Sequence, residues 1–153
     1  MEFFIKSTNE KLLLEQPSFA SGGEGALFRV LQPEHLQHLC AKLYHKNKRT
    51  SQKQEKIDYL YQHPLSYDTP FDQGAEPVIW IKRIIVDMRG DIVGFLMPFA
   101  FGEKLEILCT AKLPRRLSGN WKRFAPHKEG ARLLRLKVCY NVASALRQLH
   151  LSG

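Results

Sequence analysis

The sequence predicts an α+β fold in which a five-stranded antiparallel sheet and one short helix precede further helices. Between residues 19 and 97, short β-rich apolar runs alternate with Gly, Pro and Asp, which is typical of strands joined as hairpins. Ser51 and Gln54 stand at capping-box spacing ahead of a helical pattern that ends at Pro64. The clearest amphipathic pattern runs from residue 129 to 150 and predicts a long helix.

Composition narrows the class of protein. With 153 residues, 44% hydrophobic and 25% charged, the chain can fill a core and is not of the disordered class. The longest apolar run, Ile92 to Phe101, is too short to span a bilayer, and the N-terminus lacks the pattern of a secretory signal. We therefore expect a cytoplasmic protein. The scattered Cys40, Cys109 and Cys139 predict neither a disulfide framework nor a zinc site, and we expect no metal.

The strands can be placed in chain order. A proline-rich stretch, Pro64 to Pro77, is predicted as an exposed loop, and Glu103 to Cys109 as a short helix. Five strands are predicted for the sheet: a glycine-turn hairpin over residues 19–30, a strand over Leu36–Tyr44, and a hairpin of residues 78–86 and 92–97 across Asp87–Asp91. Ahead of them, Phe3–Ile5 and Leu12–Leu14 could form an opening strand pair or a strand extension.

The glycine turn suggests a binding function. Gly22, Gly23 and Gly25 lie between Phe19 and Leu27, and glycine lets a backbone approach a ligand where a Cβ would collide. A lysine on the next strand would aim its ammonium under the turn at an anion, with phosphate the obvious candidate. The alternative is a plain hairpin with a glycine turn. A Walker A loop does not fit, because neither Gly-Lys-Ser nor Gly-Lys-Thr follows.

This stretch resembles the start of a protein kinase domain, most closely that of bacterial eukaryotic-like Ser/Thr kinases. In the pattern G-x-G-x-x-G-x-V, Ala20 stands where the first glycine would be, Gly22 and Gly25 match the other two, and Leu27 replaces the valine. Ala41-Lys42 ends the lysine motif of the third strand.

A second part of the resemblance lies further along the chain. Trp80, the turn Asp87 to Gly90 and the strand Gly94 to Pro98 follow in the order found in those kinases. By this resemblance Met97 is the gatekeeper behind the adenine, and the backbone of Pro98 and Ala100 forms the hinge.

The resemblance implies a kinase-like N-lobe and hinge over residues 1–101 and a partial C-lobe over residues 102–153. It implies ATP as the ligand, and Lys42 paired with Glu55 to position the phosphates. Glu55 could equally be a surface glutamate paired with Lys53 or Lys56. The implied ATP-binding residues are Phe19, Gly22, Gly23, Gly25, Leu27, Ala41, Lys42, Met97, Pro98 and Ala100.

By the same resemblance, the residues that catalyse phosphotransfer would lie outside this sequence. The catalytic loop with its base, and the Asp-Phe-Gly aspartate that holds Mg²⁺, would follow Gly153. We therefore expect Ser/Thr phosphotransfer with Mg-ATP only when that downstream part is present, and this 153-residue chain is expected to be catalytically silent.

Two other functions remain open. The chain could be a non-catalytic nucleotide-binding or protein-interaction module that pairs with a protein partner or a second copy through its final helix. The basic region 112–147, with ten Lys and Arg against Glu129, could bind nucleic acid or could be a solvated surface. No nucleic-acid motif accompanies it. The predicted apolar face of the final helix consists of Leu133, Leu134, Val138, Val142, Ala145, Leu146 and Leu149.

Overall fold

The chain divides into two units in a computed structural model that describes residues 2–65, 78–100, 102, 105–110, 112–117 and 119–151. The first unit comprises residues 1–66 and 71–100, and the second comprises residues 67–70 and 101–153. The predicted exposed loop between Pro64 and Pro77 falls mainly outside the described residues.

The first unit is built from strands and one helix. All of its strand pairings are antiparallel. The elements are β1 (Phe3–Ile5), β2 (Lys11–Leu14), β3 (Ala20–Ser21), β4 (Gly25–Gln32), β5 (Leu39–Tyr44), α1 (Ser51–Gln62), β6 (Arg83–Asp87) and β7 (Ile92–Pro98).

The sheet closes on itself. The strands follow the order β2-β1-β6-β7-β5-β4-β3, and β2 also pairs with β4 through Leu13 opposite Gln32 and Leu14 opposite Val30. The ring β1-β2-β4-β5-β7-β6 is therefore a closed six-stranded antiparallel barrel. The remaining strand, β3, lies outside the ring and pairs with the first part of β4.

The prediction of a kinase-like N-lobe with an open five-stranded sheet is wrong. The sequence predicts β1 and β2 as an opening strand pair or a strand extension. In the structure β1 pairs with β6 while β2 pairs with β4, so this hairpin joins the two ends of the sheet. The glycine-turn hairpin contributes only β4 to the ring, because β3 is two residues long.

Alternation of side chains along the strands builds the barrel core. On β5, Leu39, Ala41 and Leu43 enter one buried cluster, whereas the residues between them lie on the other face. Ile5, Ile85 and Leu96, from three different ring strands, are among the largest fully buried side chains of this cluster. Burial of these apolar side chains stabilises the closed ring.

Helix α1 covers part of the outer face. Thr50 caps it, since its backbone is extended and its Oγ1 accepts a hydrogen bond of 3.3 Å from Lys53 N. The cap thus lies one residue before the predicted Ser51. Ile57 is the buried residue of the helix and packs in a second apolar cluster with Ile84, Val86 and Ile92 of β6 and β7.

The predicted hairpin across Asp87 is present, although its first strand begins at Arg83 rather than at residue 78. Asp87 Oδ1 accepts hydrogen bonds from Arg89 N at 2.9 Å and Asp91 N at 3.2 Å. Gly90 adopts φ +85°, a conformation that favours glycine. The side-chain acceptor and the glycine together fix the turn.

The second unit contains a 3₁₀ helix at Leu105–Cys109, the short helix α2 (Gly119–Lys122) and the long helix α3 (Ala131–Leu151). The long final helix is therefore confirmed, with its start at Ala131. Arg135 links these segments, because its Nε donates to Phe124 O at 2.9 Å and its Nη1 to Leu108 O at 2.7 Å. Within the described residues, no helix is long and apolar enough to cross a bilayer.

Candidate functional site

A cavity of about 380 Å³ lies under the turn between β3 and β4. Residues 20–25 line it together with Leu27, Lys42 and Met97. Six of the predicted binding residues therefore meet at one place: Gly22, Gly23, Gly25, Leu27, Lys42 and Met97. Strand pairing brings three of them together. Leu27 of β4 is opposite Lys42 of β5, and Met97 of β7 is opposite Cys40, which lies on the same face of β5 as Lys42.

The glycines of the turn have different surroundings. A Cβ on Gly25 would lie 2.2 Å from Leu43 O, so this glycine allows β4 to approach β5. Gly22 and Gly23 have no atom within 4 Å of such a Cβ, and neither has a positive φ. Packing within the chain accounts for Gly25, whereas it gives no reason for glycine at positions 22 and 23.

Polar contacts hold the turn over the cavity. Gly22 N donates to Gly25 O at 2.9 Å, and His45 Nε2 donates to Gly22 O at 2.9 Å. Glu24 forms an ion pair with Lys53 in the first turn of α1. The hydrogen bond from Lys53 lowers the pKa of the Glu24 carboxyl, so this carboxyl is ionised at neutral pH.

Lys42 has aromatic neighbours on the outer face of the barrel. Its Nζ lies 5.5 Å from the centroid of the Tyr44 ring and 5.8 Å from that of Phe95. Both distances suit cation–π attraction. Burial is the main cause of the raised pKa of the Tyr44 hydroxyl, which therefore stays neutral beside the ammonium.

Glu55 is exposed on α1, and it forms no ion pair with Lys42 in the part of the chain that the structure describes. The helix presents Lys53 to the glycine turn instead. The assignment of Glu55 as a phosphate-positioning residue stays a prediction.

Four other predicted residues lie outside the cavity lining. Ala41 is 0% exposed and belongs to the barrel core, because it alternates with Lys42 along β5. Phe19 stacks on Phe99 with ring centroids 5.1 Å apart. Pro98 ends β7, and Ala100 is exposed beyond it.

Sequence reasoning missed the residues that fix the glycine turn, namely Glu24, His45 and Lys53. One signal was present: Glu24 is an acid within the turn itself, and basic residues surround the start of α1. The pairing depends on how α1 lies against the barrel, which local sequence patterns do not specify.

Comparison with known proteins gave no match. Neither protein-family models, nor curated proteins, nor solved structures showed significant similarity to this chain.

Proposed function

We propose that the cavity under the glycine turn binds the phosphate groups of a nucleotide, with ATP as the ligand. The observation that carries this proposal is the convergence of Gly22, Gly23 and Lys42 on one cavity. The open space beside the two glycines leaves room for a ligand to approach the backbone closely. The ammonium supplies the charge that an anion requires.

Each lining residue has a role in this proposal. Lys42 Nζ binds the phosphates, and the N–H of Gly23, which has no hydrogen-bond partner among the described residues, donates to a phosphate oxygen. Leu27 and Met97 supply apolar surface for the base. Phosphotransfer by a Ser/Thr kinase-like protein, with Mg²⁺, remains a prediction that comes from the sequence resemblance alone.

The change Lys42→Met tests the proposal. We expect ATP binding, measured by isothermal titration calorimetry on the whole chain, to weaken by about tenfold or more, because an ammonium–phosphate contact is lost. The control is Lys56→Met, which removes one exposed lysine from α1 outside the cavity lining. Equal ATP affinity in wild type and Lys42→Met would refute the proposal, as would wild type that does not bind.

A protein-interaction role is the second candidate, and the surface of α3 favours it. Four exposed side chains form one stripe along this helix, at successive spacings of three, four and eleven residues. They are Leu133, Leu136, Tyr140 and Leu151. The predicted apolar face is only partly buried: Leu134, Val138, Ala145 and Leu149 are partly covered, whereas Leu133, Val142 and Leu146 are exposed.

This role predicts a homodimer that depends on the stripe. We expect Leu136→Glu to weaken dimerisation by about tenfold or more, because a charge would be buried at the interface. Sedimentation velocity over a range of concentrations measures it. Val142→Glu is the control, since Val142 is also exposed but lies on the opposite side of α3. A wild-type chain that stays monomeric throughout would contradict the prediction.

A further inference from the structure

The net charge of the chain lies entirely in one part of it. Residues 1–100 contain twelve Lys and Arg and twelve Asp and Glu, whereas residues 101–153 contain eleven Lys and Arg and three Asp and Glu. The formal charge of +8 therefore belongs to residues 101–153. Such a concentration of one sign attracts anions.

Much of this charge surrounds a second cavity, formed within the second unit. The cavity measures about 500 Å³, and the residues described in its lining include Lys112, Arg115, Lys122, His127 and Lys128 but none that is acidic. A volume of this size suits a small ligand. Mutual repulsion among the cations would be relieved by a multivalent anion.

The cations of this basic cavity form no ion pair with any acid that the structure describes; they are Lys112, Arg115, Lys122 and Lys128. In the first unit, four of the cations do pair with a carboxylate, namely Lys6, Lys11, Arg29 and Lys53. The donors around the basic cavity are therefore available to a ligand.

Hydrogen bonds fix the backbone beneath these side chains. Lys128 N donates to Ala125 O at 2.9 Å, and Ala125 N donates to Lys122 O at 3.1 Å. Arg135 holds the adjacent Phe124 O from α3. Ala125 is itself buried and forms part of the cavity lining. A fixed backbone reduces the entropy lost when the side chains gather around an anion.

We propose that the basic cavity binds the phosphate groups of a compact oligophosphate, at a site separate from the glycine turn. The cations converge on one concave site, which favours a compact polyanion over an extended nucleic-acid backbone. No Phe, Tyr or Trp side chain belongs to the described lining, and Trp121 packs against Phe124 with ring centroids 5.5 Å apart. The site thus offers cations for phosphate groups but no large aromatic ring for stacking bases.

The test uses inorganic triphosphate as the probe, with the whole chain at low ionic strength. We expect the double change Lys122→Gln and Lys128→Gln to weaken triphosphate binding in calorimetry by about tenfold or more, because two charged donors are lost. The matched control is Arg132→Gln with Lys137→Gln, which removes the same charge from exposed positions of α3 outside the cavity. The control should weaken binding much less, since its side chains lie outside the cavity lining and supply no direct donor to the bound phosphates.

Three results would overturn the proposal. The first is no binding of triphosphate by wild type. The second is an equal loss of triphosphate affinity in the two double variants, which would indicate a diffuse basic surface. A short single-stranded oligonucleotide that binds more tightly than triphosphate, and whose affinity falls equally in both double variants, would indicate the same. The third is loss of triphosphate binding in Lys42→Met with none in the Lys122 and Lys128 variant, which would assign the binding to the glycine turn. Because the sites use different lysines, this proposal and the ATP proposal can fail independently.

Discussion

The change Leu14→Ala is expected to lower the free energy of unfolding by about 2–5 kcal/mol, the usual cost of truncating a buried leucine. Leu14 is 7% exposed and lies on β2, where it pairs with Val30 of β4 and enters the barrel core. Urea unfolding followed by circular dichroism gives the free energy.

The neighbouring Leu13 supplies a matched control. It is 47% exposed on the same strand, so Leu13→Ala should change the free energy of unfolding by about 0.5 kcal/mol or less. The comparison tests closure of the barrel directly, because truncation within a strand that is only an outer extension of an open sheet would cost little. Similar small effects of the two substitutions would contradict the closed ring.

The change Gly94→Ala is expected to destabilise the fold by about 1–3 kcal/mol, as forced overpacking does. A Cβ on Gly94 would lie 2.0 Å from Lys42 O, a backbone atom that can move only if β5 and β7 separate. Gly25→Ala should destabilise the fold to a similar extent. Its Cβ would meet Leu43 O, where β4 pairs with the edge of β5 opposite to β7. Thermal unfolding measured by calorimetry provides the comparison.

Gly22→Ala is the control for both. Its Cβ would meet no atom within 4 Å, so its melting temperature should match that of wild type. A melting temperature for Gly94→Ala equal to that of Gly22→Ala would show that the strands do not approach as closely as described.

The sequence predicted the local elements well where local chemistry decides them. Helix α1 has a cap at its start and Pro64 shortly after its end, and Asp87 with Gly90 forms the predicted turn. The position of Lys42 beside the glycine turn was also predictable, because alternation along β5 fixes the face on which each side chain lies.

Closure of the barrel could not be predicted in the same way. The pairing of Leu14 with Val30 joins segments that no turn connects directly, and the pattern of β2 fits an edge strand as well as a ring strand. The role of Gly25 depends equally on its neighbour in space, Leu43 O, so the sequence motif alone suggested a ligand contact. The orientation of α1 is a third case: the helix was predicted, but its rotation about its own axis depends on Ile57 packing against the barrel.

Closure of the ring also bears on the solubility of the chain. Each ring strand has neighbours on both sides, so in the described part of the chain the free strand edge of the sheet belongs to β3, which is only two residues long. Long unpaired edges act as templates for intermolecular strand addition and aggregation, whereas so short an edge offers very few main-chain groups. The first unit should therefore resist amyloid-like self-association, and any ordered assembly of copies should depend on side-chain surfaces.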